Sequence, residues 1–199
     1  MELPSDVYRL LYELKKKHPH TFLHCVRVSE YSQMLGEELY LDADDMELLK
    51  FAGLLHDIGK IKIPNEILHK AGSLTEDELN EMKKHTEYGV DLLKSSGLSN
   101  ERLLKIVASH HKWYVSTTQG SPTKDDMPFL ARIISVADSF DAITSDRCYR
   151  AKQDLEYAIS ELQKGAGSQF DPRLTNVFLT ILKEKGKILP ENSIPDFEL

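Results

Sequence analysis

Apolar residues recur along this chain at helical spacing and almost nowhere at strand spacing. Val7, Leu10, Leu11 and Leu14 share one face of a helix predicted over 6–17. A second, over about 20–38, places His24, Val28, Tyr31 and Leu35 on one side. A third is predicted from Asp42 to about Asp57. Asp42 is its cap, Leu41 and Met46 its hydrophobic staple, and Gly59 the glycine that stops it. The segment from Leu74 to Leu79 carries a capping box (Thr75, Glu78) and a second staple (Leu74, Leu79), opening a helix to about Leu93. Another runs from Ser99 to His111, stapled by Leu98 and Leu103, and a nearly all-apolar one from Pro128 to Thr144. Asp154 caps the next, with Glu156 in its first turn, where the helix dipole favours negative charge. Asp171-Pro172 opens the last, to about Lys185, with cap and first-position proline in order. Ile61-Lys62-Ile63 alternates but is too short to build a sheet. Residues 112–127 are a polar, unpatterned loop, long for a compact domain and expected to be mobile and functional. The pattern predicts an all-α bundle of about seven or eight helices. An N-terminal helix fills 1–19, the main domain 20–185, and an unpatterned tail 186–199.

Composition narrows the class. At 199 residues, 41% hydrophobic and 29% charged, the chain is an ordinary globular mixture of one-domain size. That excludes a disordered chain and a fibrous repeat. Two cysteines, Cys25 and Cys148, are too few for a disulfide framework, so a reducing cytoplasm is the expected compartment. No run approaches the ~18 apolar residues of a membrane helix, and Met1-Glu2-Leu3-Pro4 lacks a signal-peptide layout. Lys and Arg number 25 against 32 Asp and Glu, a formal charge of −7 that argues against a nucleic-acid polymer as partner. The run Lys15-Lys16-Lys17 reads as a solvated helix end, and Cys25 as a packed thiol. Residues before His20 make one helix, so no sensory domain is expected there. Regulation would then come from a signalling protein partner or a homodimer.

The chemistry lies in histidines placed beside apolar stripes. His56 follows Leu49 and Ala52 at helical spacing, and Asp57 adjoins it. His85 shares a face with Met82, Gly89 and Leu92; His110-His111 ends a helix whose inner face is Leu103, Leu104 and Val107. Asp138 lies four residues after Ile134 in an apolar helix, with Asp141 one turn on. Singly, each reads as a hydrogen-bonded core residue or a paired carboxylate. Together they place five inward histidines (His24, His56, His85, His110, His111) and two inward carboxylates (Asp57, Asp138) on five helices. Imidazole with carboxylate is a ligand set for divalent transition metals. Seven such groups are too many for one ion and suit two, and a two-metal site clamps both oxygens of a phosphoryl displacement.

The ordered stretches are His24-Cys25-Val26-Arg27-Val28, Leu54-Leu55-His56-Asp57-Ile58-Gly59-Lys60, Pro64-Asn65-Glu66-Ile67-Leu68, Lys70-Ala71-Gly72-Ser73-Leu74 and His85 with Gly89. His110-His111, the segment Ala131 to Asp138, Asp141 to Arg150 and Phe170-Asp171-Pro172 complete the series. Over about residues 20–183 this resembles the HD superfamily of metal-dependent phosphohydrolases, and most closely its HD-GYP branch. The resemblance implies a phosphodiesterase for cyclic dinucleotides, chiefly cyclic di-GMP, using two or three divalent ions, iron or manganese. It implies His24, His56, Asp57, His85, His110, His111 and Asp138 as metal ligands, with Asp57 shared between ions. It implies a metal-bridging hydroxide as nucleophile, Lys60 stabilising the developing charge, and Lys60, Arg147 and Arg150 holding the substrate phosphate.

The chain also departs from the branch. The Gly-Tyr-Pro motif is missing, and Trp113 to Pro122 stands in its place, with Lys112 where a glutamate is usual. His20 occupies the position of a carboxylate that serves a third ion. Trp113 and Tyr114 either stack on a base or cover the underside of the loop. The altered loop leaves two alternatives: a phosphohydrolase for another nucleotide or phosphoester, and a catalytically weak nucleotide-binding signalling module.

Overall fold

The computed structural model describes residues 2–115, 127–145 and 152–185. Arg147, Cys148, Arg150, most of the 112–127 loop and the tail 186–199 lie outside the described residues. The elements are α1 (Ser5–Lys17), α2 (Pro19–Glu38), α3 (Ala43–Leu55), a 3-10 turn (Ile58–Lys62), α4 (Asn65–Leu68), α5 (Glu76–Lys83), α6 (His85–Ser95), α7 (Glu101–Ser109), α8 (Phe129–Thr144), α9 (Leu155–Gly165) and α10 (Pro172–Lys185). The all-α architecture expected from the pattern is what forms; among the described residues the only β feature is an isolated bridge between Ala166 and Phe170. No helix among them is long and apolar enough to cross a membrane.

Helix α2 is the axis of the bundle. It packs most extensively on α3 and α8, and α1 and α10 close over it. Its apolar residues run nearly all round, which is why it is buried rather than amphipathic. Tyr31 of α2, Phe140 of α8 and Phe178 of α10 meet edge to face at centroid distances of 5.1, 5.9 and 5.1 Å. On the other side of α3, α6 lies against the 3-10 turn and α7.

Two glycines set the close approaches that bring the site together. A Cβ on Gly53 would stand 2.3 Å from the Ser29 Cα, so α3 and α2 touch backbone to backbone there. A Cβ on Gly59 would stand 1.9 Å from the His85 carbonyl oxygen, so the 3-10 turn seats directly on the start of α6.

Gly59 was expected to stop the third helix, and it does not. α3 ends at Leu55 with His56 as C-cap, and the chain turns at Asp57 into the 3-10 segment. The helix expected from Thr75 to Leu93 is broken at Lys84 into α5 and α6, because the His85 ring takes the Met82 carbonyl at 2.6 Å. That carbonyl would serve Thr86 in an unbroken helix. This break and the one-turn α4 raise the helix count above the expected seven or eight. α7 starts at Glu101 rather than Ser99, since the Asn100 side chain accepts from the Leu103 N–H.

Other local signals form as read. Asp42 accepts from Asp45 N–H and Asp154 from Tyr157 N–H. Thr75 and Glu78 close the capping box. Leu41 and Met46 reach the core beside Gly36. Leu79, by contrast, remains 44% exposed, so the second staple buries nothing in the core.

Replacing a mid-helix glycine by alanine ordinarily stabilises a helix by about 1 kcal/mol. For Gly53→Ala the sign should reverse, because the new methyl meets the Ser29 backbone. A loss of about 3 kcal/mol, the upper end for overpacking, is expected in urea denaturation. An unchanged or increased stability would show that the helices are free to part.

Candidate metal centre

The fold brings all seven expected groups to one place. His24 comes from the first turns of α2, His56 and Asp57 from the end of α3, and His85 from the start of α6. His110 and His111 follow the end of α7, and Asp138 lies in mid-α8. They fall into two groups whose ligand atoms lie within 4.8 Å of one another: Asp57, His85, His110 and His111; and His24, His56 and Asp138. Asp57 faces both. Its Oδ1 is 3.3 Å from His85 Nε2, and its Oδ2 is 3.4 Å from His56 Nε2 and 3.6 Å from His24 Nε2. Asp138 Oδ1 lies 3.0 Å from His24 Nε2 and Oδ2 lies 3.9 Å from His111 Nδ1.

The other nitrogen of each buried ring is tied down. His56 Nδ1 meets the Gly53 carbonyl at 2.8 Å, His85 Nδ1 the Met82 carbonyl at 2.6 Å, and His110 Nδ1 the Val107 carbonyl at 2.8 Å. His24 Nδ1 meets Asp141 Oδ2 at 2.6 Å. Carbonyl and carboxylate oxygens only accept, so each Nδ1 carries the proton. In the neutral ring each Nε2 then presents a bare lone pair to the centre. His85 Nε2 and His110 Nε2 face each other at 3.4 Å, two acceptors without a proton between them. His24 Nε2, His56 Nε2 and Asp57 Oδ1 are buried with no hydrogen-bond partner among the described residues. A divalent cation satisfies all of these at once, and imidazole with carboxylate is the donor set such ions accept.

Electrostatics agree with that fit. Burial pushes His85 down to about 4 against the pull of the Asp57 carboxylate, and pushes His110 well below the usual imidazole range, where His111 and His56 add to it. Both are therefore neutral and able to ligate at neutral pH. Burial opposes ionisation of Asp57, but Lys60 first, then His56 and His85, outweigh it and hold the carboxyl well below its ordinary value. Asp138 is held low against burial chiefly by His24. His56 is raised because Asp57 and Asp138 overcome its burial. Lys60 Nζ sits 2.5 Å from Asp57 Oδ2 and lines a cavity of about 700 Å³ that opens from the centre.

One residue departs from its expected placement. His111 was read as inward, yet its side chain is 53% exposed at the cavity mouth. His110 is the C-cap of α7 and His111 lies beyond it, so His110 stays buried while His111 reaches the centre from its exposed side. His20 is exposed on the cavity wall. Cys25 is a buried free thiol, pushed up by burial. Tyr114 donates its N–H to the Gln169 carbonyl and its ring lies 5.5 Å from the Arg132 guanidinium; Trp113 is exposed.

A supporting pair went unread in the sequence. Arg27 donates to both Asp141 oxygens, at 2.6 and 3.0 Å, and Ser145 Oγ adds a bond at 3.2 Å. Asp141 thereby fixes the tautomer and the angle of His24. The available signal was the spacing: Arg27 is three residues beyond His24, and Asp141 three beyond Asp138. Partners of this kind typically contribute 10–100-fold to metal affinity. Asp141→Asn should weaken Mn²⁺ binding to the demetallated protein by about that factor in calorimetric titration. Unchanged affinity would remove Asp141 from the support of His24.

The HD domain family matches residues 9–174. The 3'3'-cGAMP-specific phosphodiesterase 2 of Vibrio cholerae is 36% identical over 175 residues, covering 87% of this chain and 34% of that protein. The cyclic di-GMP phosphodiesterase of Thermotoga maritima is 34% identical over 181 residues, covering 90% of this chain and 49% of that protein. The chain thus spans half or less of the length of these relatives. Among solved structures, an HDG"Y"P protein from Bdellovibrio bacteriovorus shares the fold at a TM-score of 0.65 and 23% identity, covering 80% of this chain and 51% of that one. The histidine–aspartate series gathered at one centre and the match over residues 9–174 lead to one assignment: the chain belongs to the HD domain family.

Proposed function

We propose that the chain is a metal-dependent phosphodiesterase that hydrolyses a cyclic dinucleotide, with cyclic di-GMP as the first substrate. Membership of the HD domain family implies divalent metal binding. The observation that carries the reading is the set of pinned Nδ1 atoms, which leaves four Nε2 lone pairs converging on two buried carboxylates. Relatives with the names cyclic di-GMP and 3'3'-cGAMP phosphodiesterase support the substrate class.

His24, His56 and Asp138 would hold one ion, and His85, His110 and His111 another, with Asp57 shared because its two oxygens face the two groups. Iron or manganese is proposed, two ions or three if His20 contributes. When bound, such ions supply a water activated at neutral pH and neutralise charge building on the phosphoryl oxygens. The chain supplies the rest. The helix ends hold the imidazoles at fixed angles, so little reorganisation is needed as charge develops. Lys60, on the cavity wall beside Asp57, is placed to meet a phosphate oxygen and stabilise it. Arg147 and Arg150 are proposed to clamp the substrate phosphate, a task suited to the guanidinium fork. They follow Ser145, whose hydroxyl is tied to Asp141.

Anaerobically purified protein should carry at least two metal ions per chain and hydrolyse cyclic di-GMP or 3'3'-cGAMP. Asp57→Ala should lose metal and turnover together, by more than about 100-fold, since it removes the group shared by both ions. Metal-replete protein that binds these nucleotides without hydrolysing them would replace the enzyme reading with a signalling module.

A further inference from the structure

Helices α4 and α5 are unlike the rest of the bundle. Neither contributes a buried side chain to the core. The segment is nevertheless apolar at Ile67, Leu68, Leu74, Leu79 and Met82, and all five line the cavity that opens from the metal centre. None of them belongs to the main hydrophobic cluster or packs against it. Their contact is with the cavity. The segment is held by local bonds instead: the Thr75–Glu78 capping box, and Lys70 Nζ on Glu78 Oε2 at 2.5 Å.

An imidazole stands in the same wall. His69 is exposed and lines the cavity, with its ring 5.2 Å from that of the buried His18. His18 Nδ1 has no hydrogen-bond partner among the described residues. The lobe is thus an apolar slot with a heteroaromatic ring in its side, continuous with His24, Lys60 and His85.

We propose that this lobe, walled by α4, α5 and His69, receives a nucleobase of the substrate whose phosphate lies at the metal centre. The inference rests on the phosphodiesterase reading above. The alternatives fit the lobe less well. A second phosphate would need a cation, and Lys70 is engaged by Glu78. A further metal would need a third ligand, and the described residues gather no such set around His18 and His69. A purine offers what the lobe lacks: a flat apolar face for the leucines and a ring to stack on His69. Its polar edge can also bond to an imidazole.

The test compares guanosine 5'-monophosphate with inorganic phosphate, both titrated calorimetrically into metal-loaded protein. Leu79 is exposed, so Leu79→Lys leaves the core intact. Leu79→Lys and His69→Ala should each weaken nucleotide binding about 10-fold, within what one base contact contributes, while phosphate affinity stays the same. His69→Phe, which keeps a ring, should restore most of the loss. Equal affinities for nucleotide and phosphate in the unaltered protein would overturn the proposal, as would nucleotide binding indifferent to Leu79→Lys. A dimer that dissociates on Leu79→Lys, with no nucleotide effect, would make the lobe an interface and also overturn it. Nucleotide binding that depends on Leu79 in a protein unable to cleave cyclic dinucleotides would keep the lobe and refute the phosphodiesterase reading.

Discussion

The structure turns on keeping two carboxylates ionised inside a helical core. Asp57 is 0% exposed, and Asp138 is buried in the middle of α8. A buried carboxylate costs several kcal/mol unless it is paired. Lys60 pairs with Asp57, and Arg27 with Asp141. Three acidic groups therefore face two permanent cations at the centre, and burial keeps His85 and His110 neutral. The arrangement calls for further positive charge at the point where the lone pairs converge. A divalent metal supplies it without protonating the histidines, which a plain ion-pair network could not do.

One local device serves folding and ligation together. His56, His85 and His110 each sit at or just past a helix end, and each captures the carbonyl three residues back. The last carbonyls of a helix have no partner within it. The Nδ1–H satisfies one of them and ends the helix without a C-terminal glycine. The same bond fixes the ring and aims Nε2 beyond the helix. Gly53 and Gly59 then let α2, α3, the 3-10 turn and α6 close until the rings face one another.

Much of this was legible in the sequence because it rests on short-range rules. The caps at Asp42, Thr75 and Asp154 and the apolar stripes read correctly, since each depends on residues within four positions. The seven candidate ligands emerged from their collective inward placement. Boundaries set by side-chain capture of a backbone carbonyl were not legible. Nothing in the apolar period says that His85 will take the Met82 oxygen and break a helix. The role of Gly59 was misread because a glycine after a helical stripe ordinarily ends it, and the packing partner lies 26 residues on, at His85. The Arg27–Asp141 pair spans 114 positions, beyond any local pattern. That His111 joins the group from an exposed position was not legible either, since adjacency to His110 says nothing of its burial.

The two sides of the cavity are stabilised by different physics. The metal side is tied to α2, α3, α6, α7 and α8, whose apolar faces make the core, so its geometry carries the stability of the whole domain. The α4–α5 side cannot draw on that core. An isolated helix of eight residues is marginal in water, and α5 persists here on a capping box, a lysine–glutamate pair and contact with its neighbours. Local opening should therefore cost far less on this side than at the centre. The candidate metal ligands thus sit on the rigid side, and the apolar wall of α4 and α5 on the yielding one. The Met82 carbonyl of α5 ties the two sides by holding His85 Nδ1; side chains of α4 and α5 other than Met82 can change without touching a ligand. Within one fold, the same metal centre can thus be joined to different recognition walls.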